Sequence, residues 1–444
     1  MILLTHHIGE PHGILGAQIA ATYLSRNLGI PTIVLGLKRE FSKESLLKFI
    51  DDHYREKERI IGFSHMCGRK DIIELIGELK NAGFTTLLGG PQACQDYYGE
   101  EDAVHYPLRF KGLKNMVDIA FKGPVDYLHF EHLTAQDTCF ELPWKRDIYL
   151  EVDWTNLYIF SDRAEALPIK EGQVLNAIGC QHAKGRSIVR LDPPSFLEDK
   201  TFFMDVVSYG CTFCDVARDK GFHGYIDKRA VLAQIKGLPE ENGRKIPFEL
   251  IDEYPIVSIR RLLDDVEANR ISLSQVQLVC RVNDITAHAD LLPEILSMAK
   301  QRDMTVMFAS IGFESFSEKI LKNFNKGITV RDIIKCVEIL RRLKDKFGRH
   351  LLYKTAEGAN HGFIHPTPWD DSETISEMNR NIAMNRLFED ILPQHSIPLI
   401  IHHGSYLADW LRHMESKTPI RFRREGTWIE WWSPINSPEN GKEK

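Results

Sequence analysis

Residues 208–215 read SYGCTFCD, placing Cys211 and Cys214 two residues apart directly after the apolar run FFMDVV at 202–207. A cysteine pair at a strand end is open to three readings: a redox couple, a metal site, or two small buried hydrophobes. A thioredoxin-like couple opens a helix in a chain of about 100 residues with a different strand order, which this sequence does not offer. A zinc knuckle calls for a second CxxC or an HxxxH pair nearby, and none follows within about 40 residues. An iron–sulfide cluster suits thiolates, because soft sulfur ligands favour iron, and three protein ligands leave one iron open for a substrate or cofactor. The pair therefore raises the question of a third ligand.

The eight cysteines lack small-domain disulfide spacing, the pattern of a reducing compartment in which thiols are buried or bind metal. Upstream of the pair the nearest is Cys180, in NAIGCQHAKGR, whose flanking glycines suit a loop approaching an inorganic core. The chain between them can loop back, since closure cost grows slowly with length. Cys139 in QDTCFEL is the next candidate. Cys67, Cys94, Cys280 and Cys336 lie in apolar surroundings and read as core, with Cys67 at a pocket rim.

Around this loop the chain alternates short apolar runs with helical patterns. Over residues 1–135 the runs MILLTHH, PTIVLGL, RIIGFSH and FTTLLGG are separated by helices at 14–28 and 71–82 that end at Gly29 and Gly83. This is the pattern of a doubly wound parallel sheet, with ligands expected at the strand ends THHIGEPHG, SHMCGRK and GGPQA. Residues 136–200 read as a bridging segment. From 201 to 390 strands and helices alternate again, as in a partial or complete (β/α) barrel whose strand ends YGC, IDE, CRVND and IGFES carry the chemistry. Residues 391–444 form an extension, with TPIRFRREGTWIEWW as a hairpin or cap.

Composition narrows the class. Of 444 residues, 43% are hydrophobic and 27% charged, the balance of a soluble globular protein, and no apolar run approaches the ~18 residues that cross a bilayer. The amino terminus lacks signal-peptide features, so the expected location is the cytoplasm. A formal charge of −6 gives no general attraction to nucleic acid, and the basic run RFRRE at 421–425 reads as a solvated strand edge.

Residues 208–235 after their strand, then IGFESFSEKILKNFNKGITVRDIIKCVEILRRLK at 311–344 and GFIHPTPWDDSETISEM at 362–378, resemble the radical S-adenosylmethionine (SAM) enzymes over roughly residues 200–390. The resemblance implies a 4Fe-4S cluster whose open iron binds SAM, reductive cleavage to methionine and a 5'-deoxyadenosyl radical, and an electron donor such as flavodoxin or ferredoxin. It departs at one place: the first cysteine of the common loop falls at Val207. Cys211 and Cys214 match the second and third ligands, and Cys180 is the candidate for the missing one. By position Gly312, Phe313, Glu314 and Ser315 line SAM, with Glu314 alternatively capping the helix that follows. Asp252 or Glu253 binds the SAM amine or the substrate, Arg281 with Asn283 occupies the next strand end as a carboxylate fork, and Phe213 lies within the cluster loop.

Residues 10–29 and 60–93 resemble the cobalamin-binding-type domain that precedes the radical core in one large subclass, without its Asp, His and Gly signature for a cobalt ligand. The implied cofactor is cobalamin held without a protein cobalt ligand, or a domain that has lost it. Gly89 and Gly90 let backbone approach a nucleotide tail or simply make the turn, and the spacing of His6, His7 and His12 fits no single helix face. The functional expectation is a radical SAM enzyme acting on an unidentified small molecule or peptide, by cobalamin-dependent methyl transfer at an unactivated carbon. The alternatives are cobalamin-independent rearrangement, cyclisation or oxidation, and a zinc-binding degenerate barrel serving as an interaction module.

Overall fold

Strands buried on both faces need helices on both sides, and the short runs of the amino-terminal half obtain them. A computed structural model describes residues 1–7, 12–64, 70–90, 93, 116–133, 135, 138–214, 222–393, 395–425 and 428–436. The chain divides into two compact units, Met1–Leu175 with Tyr225–Ile246, and Asn176–Gly224 with Pro247–Lys444.

The first unit is built on a sheet of eight strands in the order β6-β5-β4-β3-β1-β2-β7-β8. They are β1 (Ile2–His6), β2 (Ile33–Leu37), β3 (Ile60–Ser64), β4 (Thr85–Gly89), β5 (Ile119–Lys122), β6 (Thr138–Glu141), β7 (Leu157–Phe160) and β8 (Ala164–Ala166). All neighbours are parallel except β7 and β8. Helices α1 (Leu15–Asn27), α2 (Lys43–His53) and α3 (Lys70–Asn81) follow β1, β2 and β3. Gly29 (φ 66°) and Gly83 (φ 83°) adopt the left-handed conformation just past α1 and α3, which a side chain would resist. Because β1 lies between β2 and β3, the winding reverses there, and the carboxyl ends of β1, β3 and β4 open on the crevice where such sheets bind ligands. The residues marked as bridging by sequence contribute β6, β7 and β8 to this sheet.

In the second unit the parallel strands Phe248–Ile251, Gln275–Arg281, Thr305–Glu314 and Leu351–Leu352 lie side by side, and Gly362–Phe363 pairs with the far end of Thr305–Glu314. This is a partial barrel, wrapped by helices Pro255–Ala268, Leu292–Gln301 and Val330–Phe347. The last begins in a capping box, Thr329 accepting from Asp332 N while the Asp332 carboxylate accepts from Thr329 N, and Gly348 (φ 54°) follows its end. FFMDVVS, expected as the first barrel strand, instead pairs antiparallel: Met204–Tyr209 runs against Arg186–Leu191. Its alternating burial explains the difference, because a strand with one face in water suits a hairpin and not the interior of a parallel barrel. The tail forms the expected hairpin, Ile420–Glu425 against Trp428–Asn436. Its basic run is structural: the Arg424 guanidinium grips the buried Glu415 carboxylate, and Arg421 donates to the carbonyls of Glu415, Thr418 and Ile420.

Tyr54, at the end of α2, accepts a hydrogen bond from Ile2 N (2.8 Å) and donates to Ile60 O (2.5 Å), tying the starts of β1 and β3 together inside the core. Its burial raises the phenol pKa far above the ordinary value, so the hydroxyl stays neutral. Tyr54→Phe keeps the ring and orphans both backbone groups. The expected loss is about 1–3 kcal/mol of stability, read as a lower urea midpoint.

Candidate functional site

The loop carrying Cys211 is held by a short segment far along the chain, Asn323–Gly327, which follows helix Glu318–Asn323. Thr212 N donates to Phe324 O (2.9 Å) and Thr212 Oγ1 to Asn323 O (2.7 Å), while Asn325 Nδ2 donates to Gly210 O (2.7 Å). Asn325 is itself left-handed (φ 49°), the conformation asparagine tolerates better than most residues. The same segment meets the turn after Cys180, where His182 Nε2 lies 2.8 Å from Asn325 O. Gly210 (φ 82°) lets the loop close on that turn, since a Cβ there would stand 3.4 Å from Ala183 Cα.

Cys180 and Cys211 therefore come to one place from two separate segments. Cys180 sits at the end of strand Ala177–Gly179, its carbonyl accepting from Ala183 N. Burial pushes the Cys180 thiol pKa up, and the nearby Glu253 carboxylate adds to this. For Cys211 burial also raises the pKa, but a hydrogen bond with His182 and the charges of Lys326 and Arg281 outweigh it and bring the thiol down to about 7. Arg281 Nη1 lies 3.3 Å from Cys211 Sγ. Cys214, half-buried, closes the turn with its N–H on Cys211 O (3.3 Å). None of the three is in a disulfide. Cys280 and Cys336 are buried with pKa values raised by burial, as core thiols are. Cys139 is disulfide-bonded, so not every cysteine is a thiol and this one has no sulfur to offer a metal. Cys67 and Cys94 lie outside the described residues. Among the described residues no three His, Cys, Asp or Glu side chains converge on a single metal ion.

Beside Cys211 lies a cation that sequence reading missed. Lys326, 4% exposed, places its ammonium 2.7 Å from Glu314 Oε1 and 5.9 Å from the Phe213 ring centroid. Burial disfavours its charge, yet Glu314 and Cys211 overcome that cost and raise its pKa above the usual value. Glu314 ends strand Thr305–Glu314 with φ 62° and pairs with Lys326, so it does not cap the following helix. Strand alternation divides the four residues expected at SAM. Gly312 and Glu314 face Lys326, whereas Phe313 and Ser315 are fully buried, the ring against Phe316 and His361 and the hydroxyl toward Met378.

The neighbouring strand ends are also committed. Asp252 accepts from Asn176 Nδ2 (2.8 Å), Ser258 Oγ (2.6 Å) and Tyr254 N (2.9 Å), which leaves Glu253 as the carboxylate nearer Cys180. Burial nevertheless raises the Asp252 pKa. Arg281 donates to Asn283 Oδ1, Cys211 Sγ and Lys326 O, so its fork faces the cysteine loop and the backbone.

In the first unit an apolar cavity of about 230 Å³ opens at the carboxyl ends of β3 and β4, lined among others by Leu15, Ser64, Gly89, Gly90, Phe121 and Trp144. Of the amino-terminal histidines, His12 pairs with Glu171 (3.1 Å) and His7 is buried with its N–H on Leu37 O, while His6 ends β1.

No protein-family model matches the chain. An uncharacterized protein of Methanocaldococcus jannaschii is 28% identical over 169 residues, which cover 34% of this chain and 31% of that protein. The solved structure of the cobalamin-dependent S-adenosylmethionine radical enzyme OxsB, apo and selenomethionine-labelled, superposes with a TM-score of 0.56 at 13% identity, covering 97% of this chain and 63% of OxsB. The same enzyme with aqua-cobalamin bound gives 0.50 at 13% identity over 96% of this chain and 64% of OxsB. The chain thus spans under two thirds of the enzyme it superposes on, and at this identity the likeness is one of fold. This chain has the fold of a cobalamin-dependent SAM radical enzyme, a cobalamin-binding-type sheet domain and a radical SAM-type partial barrel.

Proposed function

We propose that the protein is a radical SAM enzyme whose 4Fe-4S cluster is held by Cys180, Cys211 and Cys214. The observation that carries the reading is the pairing of two chain segments at one sulfur-rich strand end, with Cys211 held near neutrality beside two cations. The donor set fits: three thiols outside any disulfide, one of them, Cys211, drawn down to about 7, in a setting that offsets the negative charge of a thiolate-ligated cluster. When bound and reduced, the cluster supplies the electron that cleaves SAM to methionine and the 5'-deoxyadenosyl radical. The protein's own work is to orient and to exclude water. Arg281 fixes the Cys211 sulfur, Lys326 and Glu314 set the charge at the end of the 305–314 strand, and Gly312, without a side chain, leaves the room that their ion pair occupies.

The first unit supports cobalamin as second cofactor. Its cavity is smaller than the roughly 300–1,000 Å³ of pockets that enclose a whole ligand, and suits one ring system of a nucleotide tail, with Gly89 and Gly90 in its lining. The reaction we propose for that pairing of cofactors is methyl transfer at an unactivated carbon of a small molecule or peptide. A cobalamin-independent reaction is the alternative, and cofactor content separates them.

Four outcomes test the reading and the ion pair beside the cysteine loop. Anaerobic reconstitution should give about four irons and four sulfides per chain and a reduced-state electron paramagnetic resonance signal that changes on adding SAM. Cys180→Ala, Cys211→Ala and Cys214→Ala should each lose it, whereas Cys139→Ala should keep it; a zinc-only protein sinks the assignment. Lys326→Met leaves a buried carboxylate unpaired and should cost about 3–5 kcal/mol, much of it recovered in Lys326→Met/Glu314→Gln by thermal unfolding. Gly16→Trp, which has no neighbour within 4 Å of an added Cβ and lines the cavity, should abolish the visible absorbance of cobalamin co-purified with or added to the wild type while leaving the iron content unchanged.

A further inference from the structure

The hairpin between Cys180 and Cys211 has one face with no function in the site described above. On its inner face Val189, Leu191, Val206 and Ser208 are buried toward helices Glu318–Asn323 and Tyr406–Lys417. On its outer face the cross-strand pairs are Arg186 with Tyr209, Ile188 with Val207, and Arg190 with Asp205. Ile188 is 70% exposed, Tyr209 41% and Val207 40%. Single exposed hydrophobes are ordinary, but a contiguous apolar strip rimmed by charge on a two-stranded ribbon marks a contact surface.

The charge of the rim is basic. Arg186 and Arg190 lie on the face, Lys184 stands exposed in the turn leading into it, and Asp205 is the acid among the paired residues. The Arg190 guanidinium rests 4.7 Å over the Phe203 ring, itself 44% exposed, which extends the apolar strip toward the hairpin's far end. This sits on a chain whose formal net charge is −6, so the positive face is local and not a general property of the surface.

The position of the face decides what it would serve. One strand of the hairpin begins six residues after Cys180, and the other ends two residues before Cys211, within about 7 Å of chain. Both roots of the ribbon are therefore the two segments that hold the proposed cluster ligands. We infer that the outer face formed by Arg186, Ile188, Arg190, Val207 and Tyr209 is the docking surface for an acidic electron-donor protein carrying a reduced flavin or iron–sulfur centre. The inference rests on the cluster assignment above. One electron leaves the donor's centre, which is oxidised by one electron, and enters the cluster, which is reduced by one; no bond forms or breaks at the docking face. A polar rim around an apolar strip steers the encounter and then holds it, the division of labour expected of a transient redox contact.

The test is rapid mixing of the reconstituted holoprotein with an acidic flavodoxin poised in its fully reduced form, following the bleaching of the cluster. Arg186→Glu/Arg190→Glu should lower the second-order rate of reduction at least about tenfold at low ionic strength, with the gap closing as salt is raised. Ile188→Ser/Val207→Ser should lower it through a weaker complex, with little change in salt dependence. Reduction by titanium(III) citrate, which needs no docking face, should be equal in all three proteins. Equal rates with flavodoxin, at equal iron content, overturn the docking surface while leaving the cluster intact. Loss of iron from the wild type overturns the cluster assignment first. A wild-type chain that dimerises in sedimentation, and ceases to in Ile188→Ser/Val207→Ser, gives the face to a second copy and overturns the inference as well.

Discussion

A lysine ammonium with almost no exposure governs the arrangement around the cysteine loop. Taking such a charge out of water costs several kcal/mol unless opposite charge and hydrogen bonds meet it, and Lys326 is met by Glu314 across 2.7 Å. Once that pair is fixed, much else follows. Lys326 belongs to the segment whose carbonyls receive Thr212, Arg281 and His182, so the place of the ammonium sets the place of the loop that carries Cys211. The chemistry of the sulfur then depends on the same cation, because Lys326 and Arg281 help draw the Cys211 thiol down against its burial. Packing and electrostatics are one constraint here.

The sequence told much about architecture and less about this constraint. The helix ends at Gly29 and Gly83, the alternation of buried runs and the hairpin of the tail are local signals, and each was legible because glycine conformation and residue periodicity need no partner. FFMDVVS is the misread strand, because a short apolar run looks alike in a ribbon and in a barrel; only its one-sided burial separates the two. Lys326 was passed over since nothing in NFNKG announces that its ammonium turns inward. Its partner lies twelve residues away and is held by a backbone conformation, φ 62° at Glu314, that a glutamate does not advertise. The roles expected for Asp252 and Arg281 illustrate the same limit: their types suit ligand binding, but three donors engage the one carboxylate and three protein acceptors the one guanidinium.

In the first unit the legible and illegible parts divide differently. The doubly wound parallel sheet follows from the alternation of strands and helices, whereas the strand order, and with it the switch point at β1, is seen in the structure. The cavity does not, because its lining comes from α1, β3, β4 and the aromatic residues near Trp144, which are far apart in the chain.

Two glycines flank the Glu314 carboxylate. A Cβ at Gly312 would lie 2.5 Å from Lys326 Nζ and 2.6 Å from Glu314 Oε1, and one at Gly362 would lie 2.5 Å from Glu314 Oε2. Neither glycine has a positive φ, so what forbids a side chain there is the space already claimed by the ion pair. Positions 312, 314, 326 and 362 consequently cannot drift one at a time. Among descendants of this chain they should persist as a block or be replaced as a block, and a lineage that lost the acid would be free, for the first time, to put side chains where the glycines stand.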